Sequence, residues 1–141
     1  MMTRTVNVLL VEDNEIDREC VLRAFTRHRI VNPVVHASDG LEALDVLRGV
    51  EGKASLPRPY ILLLDINMPR MNGVELLREL RADPKLRSTV VFVLTTSSSD
   101  QDRIAAYDLN IAGYIIKSDV GPGFIHLVEL LQSYWRIVEL P

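Results

Sequence analysis

The stretch Tyr60-Ile61-Leu62-Leu63-Leu64-Asp65-Ile66-Asn67-Met68-Pro69-Arg70-Met71-Asn72-Gly73 decides the fold. Ile61 to Leu64 is an unbroken apolar run, the pattern of a strand buried on both faces in the middle of a parallel sheet. The run ends on a carboxylate, Asp65. The chain then turns through Met68-Pro69 and Asn72-Gly73, and the spacing predicts a helix over Val74 to Ala82, stopped by Asp83-Pro84. A carboxylate at the C-terminal end of a central strand stands where open α/β sheets place their ligands. Taken alone, Asp65 suits a turn or a helix cap equally well.

Strand and helix signals alternate outward from this stretch. Val6 to Val11 reads as the first strand, broken by Glu12-Asp13-Asn14, where Asp13 or Asn14 can cap a helix. That helix is expected from about Glu15 to Arg29, with Ile16, Cys20, Leu22 or Arg23, and Phe25 on its inner side. Pro33 to Ala37 is a short second strand. Asp39-Gly40 leads into a helix carrying Leu41, Leu44 and Leu47, ended by Gly49. Gly49 to Pro59 reads as a long surface loop. Val90 to Leu94 is the fourth strand, Asp100 to Leu109 a helix, and Gly113 to Ile116 the fifth strand. Gly121-Pro122-Gly123 opens a last helix reaching about Val138. Five strands alternating with five helices predict an α/β, doubly wound, five-stranded parallel sheet with right-handed crossovers and helices on both faces.

The 141 residues suit a single domain, 1–141, and no output domain is expected after the fifth helix. The net charge of -3 argues against a nucleic-acid surface, which would show a basic patch. One cysteine, Cys20, excludes an internal disulfide and a cysteine-based zinc site, and is read as a buried packing thiol. No apolar run approaches the ~20 residues of a membrane helix. Met1-Met2-Thr3-Arg4 lacks the apolar core of a signal peptide, so a cytoplasmic location is expected.

Four polar signals fall at or just past strand ends: Glu12 and Asp13 after the first, Asp65 after the third, Thr95 after the fourth, Lys117 after the fifth. In a strand order 2-1-3-4-5, the first and third strands are neighbours at the topological switch point. Glu12, Asp13 and Asp65 would then crowd together and repel unless a cation sits among them. Hard oxygen ligands suit Mg²⁺. Such a metal can neutralise charge in phosphoryl transfer. Lys117 supplies a mobile positive charge, and the Thr95 hydroxyl a further donor. Asp65 is the natural nucleophile, since a carboxylate can form an aspartyl-phosphate.

With these residues in view, the chain resembles the receiver domains of two-component response regulators, with their flavodoxin-like (βα)5 fold, over nearly its whole length. The resemblance is carried by Val11-Glu12-Asp13-Asn14, by Asp65-x-x-Met68-Pro69-x-Met71-Asn72-Gly73, by Leu94-Thr95 and by Tyr114-x-x-Lys117. It implies phosphorylation of Asp65 by a histidine kinase, and Mg²⁺ held by Asp13 and Asp65. Glu12 would act directly or through water, and the Asn67 backbone carbonyl as a further ligand. It implies that Thr95 and Tyr114 move together on phosphorylation. The Gly49–Pro59 loop, Thr95-Thr96-Ser97, Lys117-Ser118 and the ending Trp135 to Pro141 resemble stand-alone regulators that partner bacterial phytochrome-type kinases.

Two departures carry expectations. Ser118 stands where most receivers have proline, so a trans peptide is expected after Lys117. Thr96 is bulkier than the alanine or glycine of fast-cycling receivers and is expected to obstruct the water that attacks the phosphoryl group. In the last helix, Phe124, Leu127, Val128, Leu131, Tyr134, Trp135 and Val138 share one face, while Leu130 and Ile137 widen it beyond what a core requires. Leu130, Trp135 and Ile137 are therefore candidate interface residues, for a homodimer with the fourth helix and fifth strand or for another partner.

The competing classes are weaker. An aspartyl-nucleophile phosphohydrolase needs a general acid where Asn67 stands. A structural adaptor binding through the last helix need not carry the polar constellation. A nucleotide-binding domain would need a Gly-rich turn after the first strand, and a transcription factor an added helix-turn-helix. The three histidines show no metal spacing. The reading is a switch, not an enzyme.

Overall fold

Tyr60–Leu64 forms β3 and is buried along its whole length, the centre of the fold as its composition demands. It pairs in parallel with β1 (Asn7–Val11) on one side and β4 (Val90–Thr95) on the other. β2 (Val34–Ala37) flanks β1, and β5 (Gly113–Ile116) flanks β4, so the order is β2-β1-β3-β4-β5. The computed structural model describes residues 5–50 and 56–141. The Met1–Arg4 reading and part of the Gly49–Pro59 loop reading lie outside the described residues.

Side chains alternate across the sheet, and with both faces covered the run Ile61 to Leu64 of β3 is apolar at every position. Leu9, Val11, Leu62, Leu64, Val91 and Val93 face one layer, built by α2 (Gly40–Arg48), α3 (Gly73–Ala82) and α4 (Asp100–Asp108). Val8, Leu10, Ile61, Leu63, Phe92 and Leu94 face the other, built by α1 (Glu15–Arg27) and α5 (Ile125–Ile137). Each fully buried leucine contributes about 1.5–3 kcal/mol of transfer free energy before entropy is charged against it.

The expected inner face of α1 is corrected. Val21, Ala24 and Phe25 are the buried residues, while Ile16 is 74% exposed, Leu22 is exposed and Cys20 is only half-buried. A helix packs by its i, i+4 ridge, and here that ridge runs Asp17–Val21–Phe25. Ile16 and Cys20 lie one residue off it. The helix also stops at Arg27, because Arg29 turns left-handed at φ 56. At the other end of the chain, Gly121-Pro122-Gly123 forms a separate 3-10 turn with Phe124. Gly123 and Phe124 are both left-handed, so α5 begins only at Ile125.

The loop after β3 is held close to the strand it leaves. Gly73 donates its amide to the Ile66 carbonyl at 2.9 Å. A Cβ on Gly73 would lie 2.4 Å from the Asp65 carbonyl oxygen and 2.9 Å from Ile66 Cα. Only glycine permits this approach. Asn72 and Glu75 then close a capping box on α3.

Candidate functional site

The ends of β1, β3, β4 and β5 converge at one edge of the sheet. Asp65 follows β3 and is 6% exposed. Its amide donates to the Val11 carbonyl at 3.0 Å, so the β1–β3 ladder itself fixes its position. Its Oδ1 accepts the Asn67 amide at 3.3 Å. Asn67 is exposed at the start of the β3–α3 loop. Glu12 follows β1, is 2% exposed, and its backbone carbonyl lies 2.7 Å from His36 Nε2. Arg18 Nη1 lies 3.4 Å from the other ring nitrogen. An arginine can only donate, so Nε2 carries the proton and donates to Glu12. Asp13 is exposed beside them.

Glu12, Asp13 and Asp65 each place a carboxylate oxygen within 4.8 Å of the others. Such a set of hard oxygens fits a small divalent cation with open positions for water. Burial pushes the Glu12 carboxyl up to about 7, opposed by the Lys117 hydrogen bond and reinforced by the charge of Asp65. A cation would relieve that repulsion, which is the sense in which these residues fit a metal.

Lys117 enters from the end of β5 with its side chain only 7% exposed. Its ammonium lies 2.5 Å from Glu12, 2.7 Å from Asp17 and 3.2 Å from Asp65. Burial lowers its pKa, but the hydrogen bonds to Asp17 and Glu12 more than offset this, and the group is held above its ordinary range. Lys117 opens a 3-10 turn, Lys117–Asp119, and the only cis bond among the described residues is Arg58–Pro59. The Lys117–Ser118 bond is thus trans, as expected.

Thr95 ends β4, is fully buried, and its Oγ1 accepts the Ser97 amide at 3.2 Å. Its hydroxyl hydrogen has no protein partner in that contact. Thr96 is exposed at the rim. Tyr114 is half-buried on β5 and donates its hydroxyl to the Ser97 carbonyl at 2.9 Å. Burial holds its phenol above the ordinary range, opposed by the Ser97 contact. Thr95 and Tyr114 thus both bond to one residue, Ser97, through its amide and its carbonyl respectively.

The candidate interface residues lie apart from this edge. Leu130 is 43% and Ile137 83% exposed, while Trp135 is half-buried, edge-on to Phe25 at 6.4 Å between ring centroids. Trp135 therefore belongs largely to the α1–α5 seam. Leu140 folds back onto the same core layer without covering Leu130 or Ile137.

Two features were not foreseen. Asp17 joins the site through Lys117. Its signal was available in the i+4 and i+8 spacing to Val21 and Phe25. The second is an ion pair between a buried carboxylate and a largely exposed arginine of the loop. Asp39 caps α2 through the Glu42 amide, is 4% exposed, and is gripped by Arg70 Nε and Nη2 at 2.6 and 2.5 Å. Burial raises the Asp39 carboxyl, but the Glu42 amide and Arg70 overcome this and hold it below its ordinary value. The pair ties the β3–α3 loop, where Arg70 is left-handed at φ 63, to the start of α2.

A parallel sheet of this order with an acidic cluster, a threonine and a lysine at its C-terminal edge defines a receiver-type signalling fold. Residues 8–123 match the response regulator receiver domain. The chain belongs to that family, the receiver-domain response regulators of two-component signalling. It is 35% identical over 135 residues to response regulator Rcp1 of Synechocystis sp., covering 95% of this chain and 92% of that protein. Its fold superposes on the phosphorylated cyanobacterial phytochrome response regulator RcpA with a TM-score of 0.86 at 34% identity, covering 99% of each chain. The Mn²⁺-bound form of Rcp1 gives a TM-score of 0.84 at 34% identity, covering 98% of this chain and 99% of that one. No helix among the described residues is long and apolar enough to cross a membrane.

Proposed function

We propose that the chain is a phosphorylatable switch in which Asp65 accepts a phosphoryl group from the phosphohistidine of a sensor histidine kinase of the phytochrome type. The observation that supports this most is the Lys117 ammonium lodged 3.2 Å from a buried Asp65 that shares a carboxylate cluster with Glu12 and Asp13. One Asp65 carboxylate oxygen attacks phosphorus, the P–N bond to the donor imidazole breaks, and its electron pair returns to the ring. Asp65 then carries an acyl phosphate. Lys117 and the Thr95 hydroxyl donate to phosphoryl oxygens, and the buried setting of both strengthens those contacts.

Glu12, Asp13, Asp65 and the Asn67 carbonyl would hold Mg²⁺, which when bound supplies positive charge against the negative charge gathered between donor and acceptor. The fit rests on the grouped carboxylate oxygens, and the Glu12 carboxyl, raised chiefly by burial and further by the charge of Asp65, gains from a cation beside it. The Mn²⁺ of the Rcp1 structure agrees with a divalent ion of this kind.

A phosphoryl group on Asp65 shifts a population only by binding one packing better than another. Thr95 is the group placed to sense it. Its hydroxyl is bonded to the Ser97 amide, while Tyr114 holds the Ser97 carbonyl. Drawing Thr95 toward the phosphoryl group breaks the first bond and loosens the second, which frees Tyr114 and the start of α4. Exposed Ile104 and Tyr107 on α4, with Leu130 and Ile137 on α5, are the apolar surface that a homodimer would use. The unit is read as a single domain, 1–141, acting as an acceptor rather than as an enzyme. Its setting is the cytoplasm, where the kinase's phosphohistidine is made.

The test is phosphotransfer from a purified, autophosphorylated phytochrome-type histidine kinase in Mg²⁺. The label should pass to the parent chain and not to Asp65→Asn. Equal labelling of both would exclude Asp65 as acceptor, and labelling only from unrelated kinases would exclude the phytochrome pairing.

A further inference from the structure

An ammonium has three N–H donors. Those of Lys117 face Glu12 Oε1 at 2.5 Å, Asp17 Oδ2 at 2.7 Å and Asp65 Oδ2 at 3.2 Å. Glu12 and Asp65 belong to the carboxylate cluster with Asp13; Asp17 does not. A cation in the cluster competes with Lys117 for Glu12 and Asp65 but leaves Asp17 free to keep its bond. A phosphoryl group on Asp65, in turn, competes with Asp17 for the same ammonium.

Asp17 is rigidly mounted. It occupies the third position of α1, and its amide donates to the Asn14 cap at 2.9 Å. It continues the ridge formed by buried Val21 and Phe25. Lys117, by contrast, carries its charge on a flexible four-carbon stem. The contact therefore joins a fixed carboxylate to a movable cation, and Asp17 lies nearer to that cation than Asp65 does.

We propose that Asp17 is a positioning residue that seats the Lys117 ammonium beside Asp65, easing cation entry into the cluster and restraining the ammonium from moving onto a phosphoryl group. The proposal rests on the reading of Asp65 as the acceptor. It predicts opposite effects on two steps. Without the Asp17 charge, Lys117 presses harder on Glu12 and Asp65, so the cation binds more weakly. Once the cation is saturating, the ammonium is free to meet the phosphoryl group, so phosphoryl uptake is faster. The Asp17 side chain is 27% exposed, so solvent screens the pair and each effect should be about threefold to tenfold.

The experiment uses the full chain, with Asp17→Asn made in the parent and in Lys117→Ala. Urea unfolding of each variant confirms a folded protein. Mg²⁺ dissociation constants are read by calorimetry, and phosphoryl uptake from a small acyl phosphate is timed at saturating Mg²⁺. The expected result is a weaker Mg²⁺ constant together with faster uptake in Asp17→Asn, with both differences absent in the Lys117→Ala background. A change of both in the same unfavourable direction, or effects that persist without Lys117, would overturn the proposal and leave Asp17 an ordinary helix-start carboxylate. If the parent itself takes up no phosphoryl group, the acceptor reading fails. The Asp17 seat is then decided by the Mg²⁺ arm alone: it stands if the Lys117-dependent weakening is seen and falls if it is not.

Discussion

Replacing Lys117 with methionine keeps the stem and removes the charge. In the metal-free protein this strands Glu12 and Asp65, 2% and 6% exposed, without the cation that faces both. Breaking a buried pair in this way costs about 3–5 kcal/mol when the remaining charge stays ionised. Here the cost has a release. The Glu12 carboxyl already sits near 7, above its ordinary value of 4.5, and without Lys117 it moves higher still. A carboxyl raised in the folded state stabilises the fold below its unfolded pKa, and that contribution is lost as pH rises through the folded pKa. For the parent the shift amounts to about 3 kcal/mol, lost between roughly pH 4.5 and 7. For Lys117→Met the loss continues to higher pH, at a limit of about 1.4 kcal/mol per pH unit. Urea unfolding in chelator should therefore show the deficit of the variant growing by about 1 kcal/mol between pH 6 and pH 8. Added Mg²⁺ near pH 8 should restore most of the difference by binding the folded cluster. A variant as stable as the parent near pH 8, or a deficit that does not change with pH, would refute the account of Lys117 as the internal counter-charge.

Gly73→Ala should cost about 2–4 kcal/mol in urea unfolding, because the new methyl meets the backbone of Asp65 and Ile66, which cannot rotate away. Arg70→Ala should cost about 1–3 kcal/mol near neutral pH, since Arg70 is largely exposed while its partner Asp39 is not. The Asp39 carboxyl is held below its ordinary 3.8, so its contribution is present above that pH and lost as pH falls through the folded value. The Arg70→Ala deficit should accordingly shrink in strong acid, as urea unfolding across pH will show. Thr96→Gly should shorten the life of the phosphoaspartate, followed by loss of mass after the donor is removed. An unchanged lifetime would mean that Thr96 does not obstruct the attacking water.

The strand ends were the most legible part of the chain. An apolar run closed by Asp65, and another closed by Glu12-Asp13, read together as two buried strands delivering carboxylates to one edge, and the structure brings those residues together. Thr95 and Lys117 followed from the same rule. Asp17 was missed because Ile16 and Cys20, apolar and four apart, suggested the wrong ridge for α1. Its true face is set by packing against β1 and α5, and a single helix cannot report that. The Asp39–Arg70 pair joins two loops with no shared periodicity, so no local pattern announces it. Trp135, on the main apolar face of the last helix, reads as a candidate interface residue because its partner, Phe25, lies on another helix. Receiver membership was legible because several weak motifs fall in order on the right elements.

The most direct test of the phosphoacceptor account is intact-protein mass after incubation with a small acyl phosphate and Mg²⁺. The account predicts a gain of one phosphoryl group in the parent, none in Asp65→Asn, and none in the parent when a chelator replaces Mg²⁺. A parent that gains no mass, or an Asp65→Asn variant that gains as much as the parent, would contradict it.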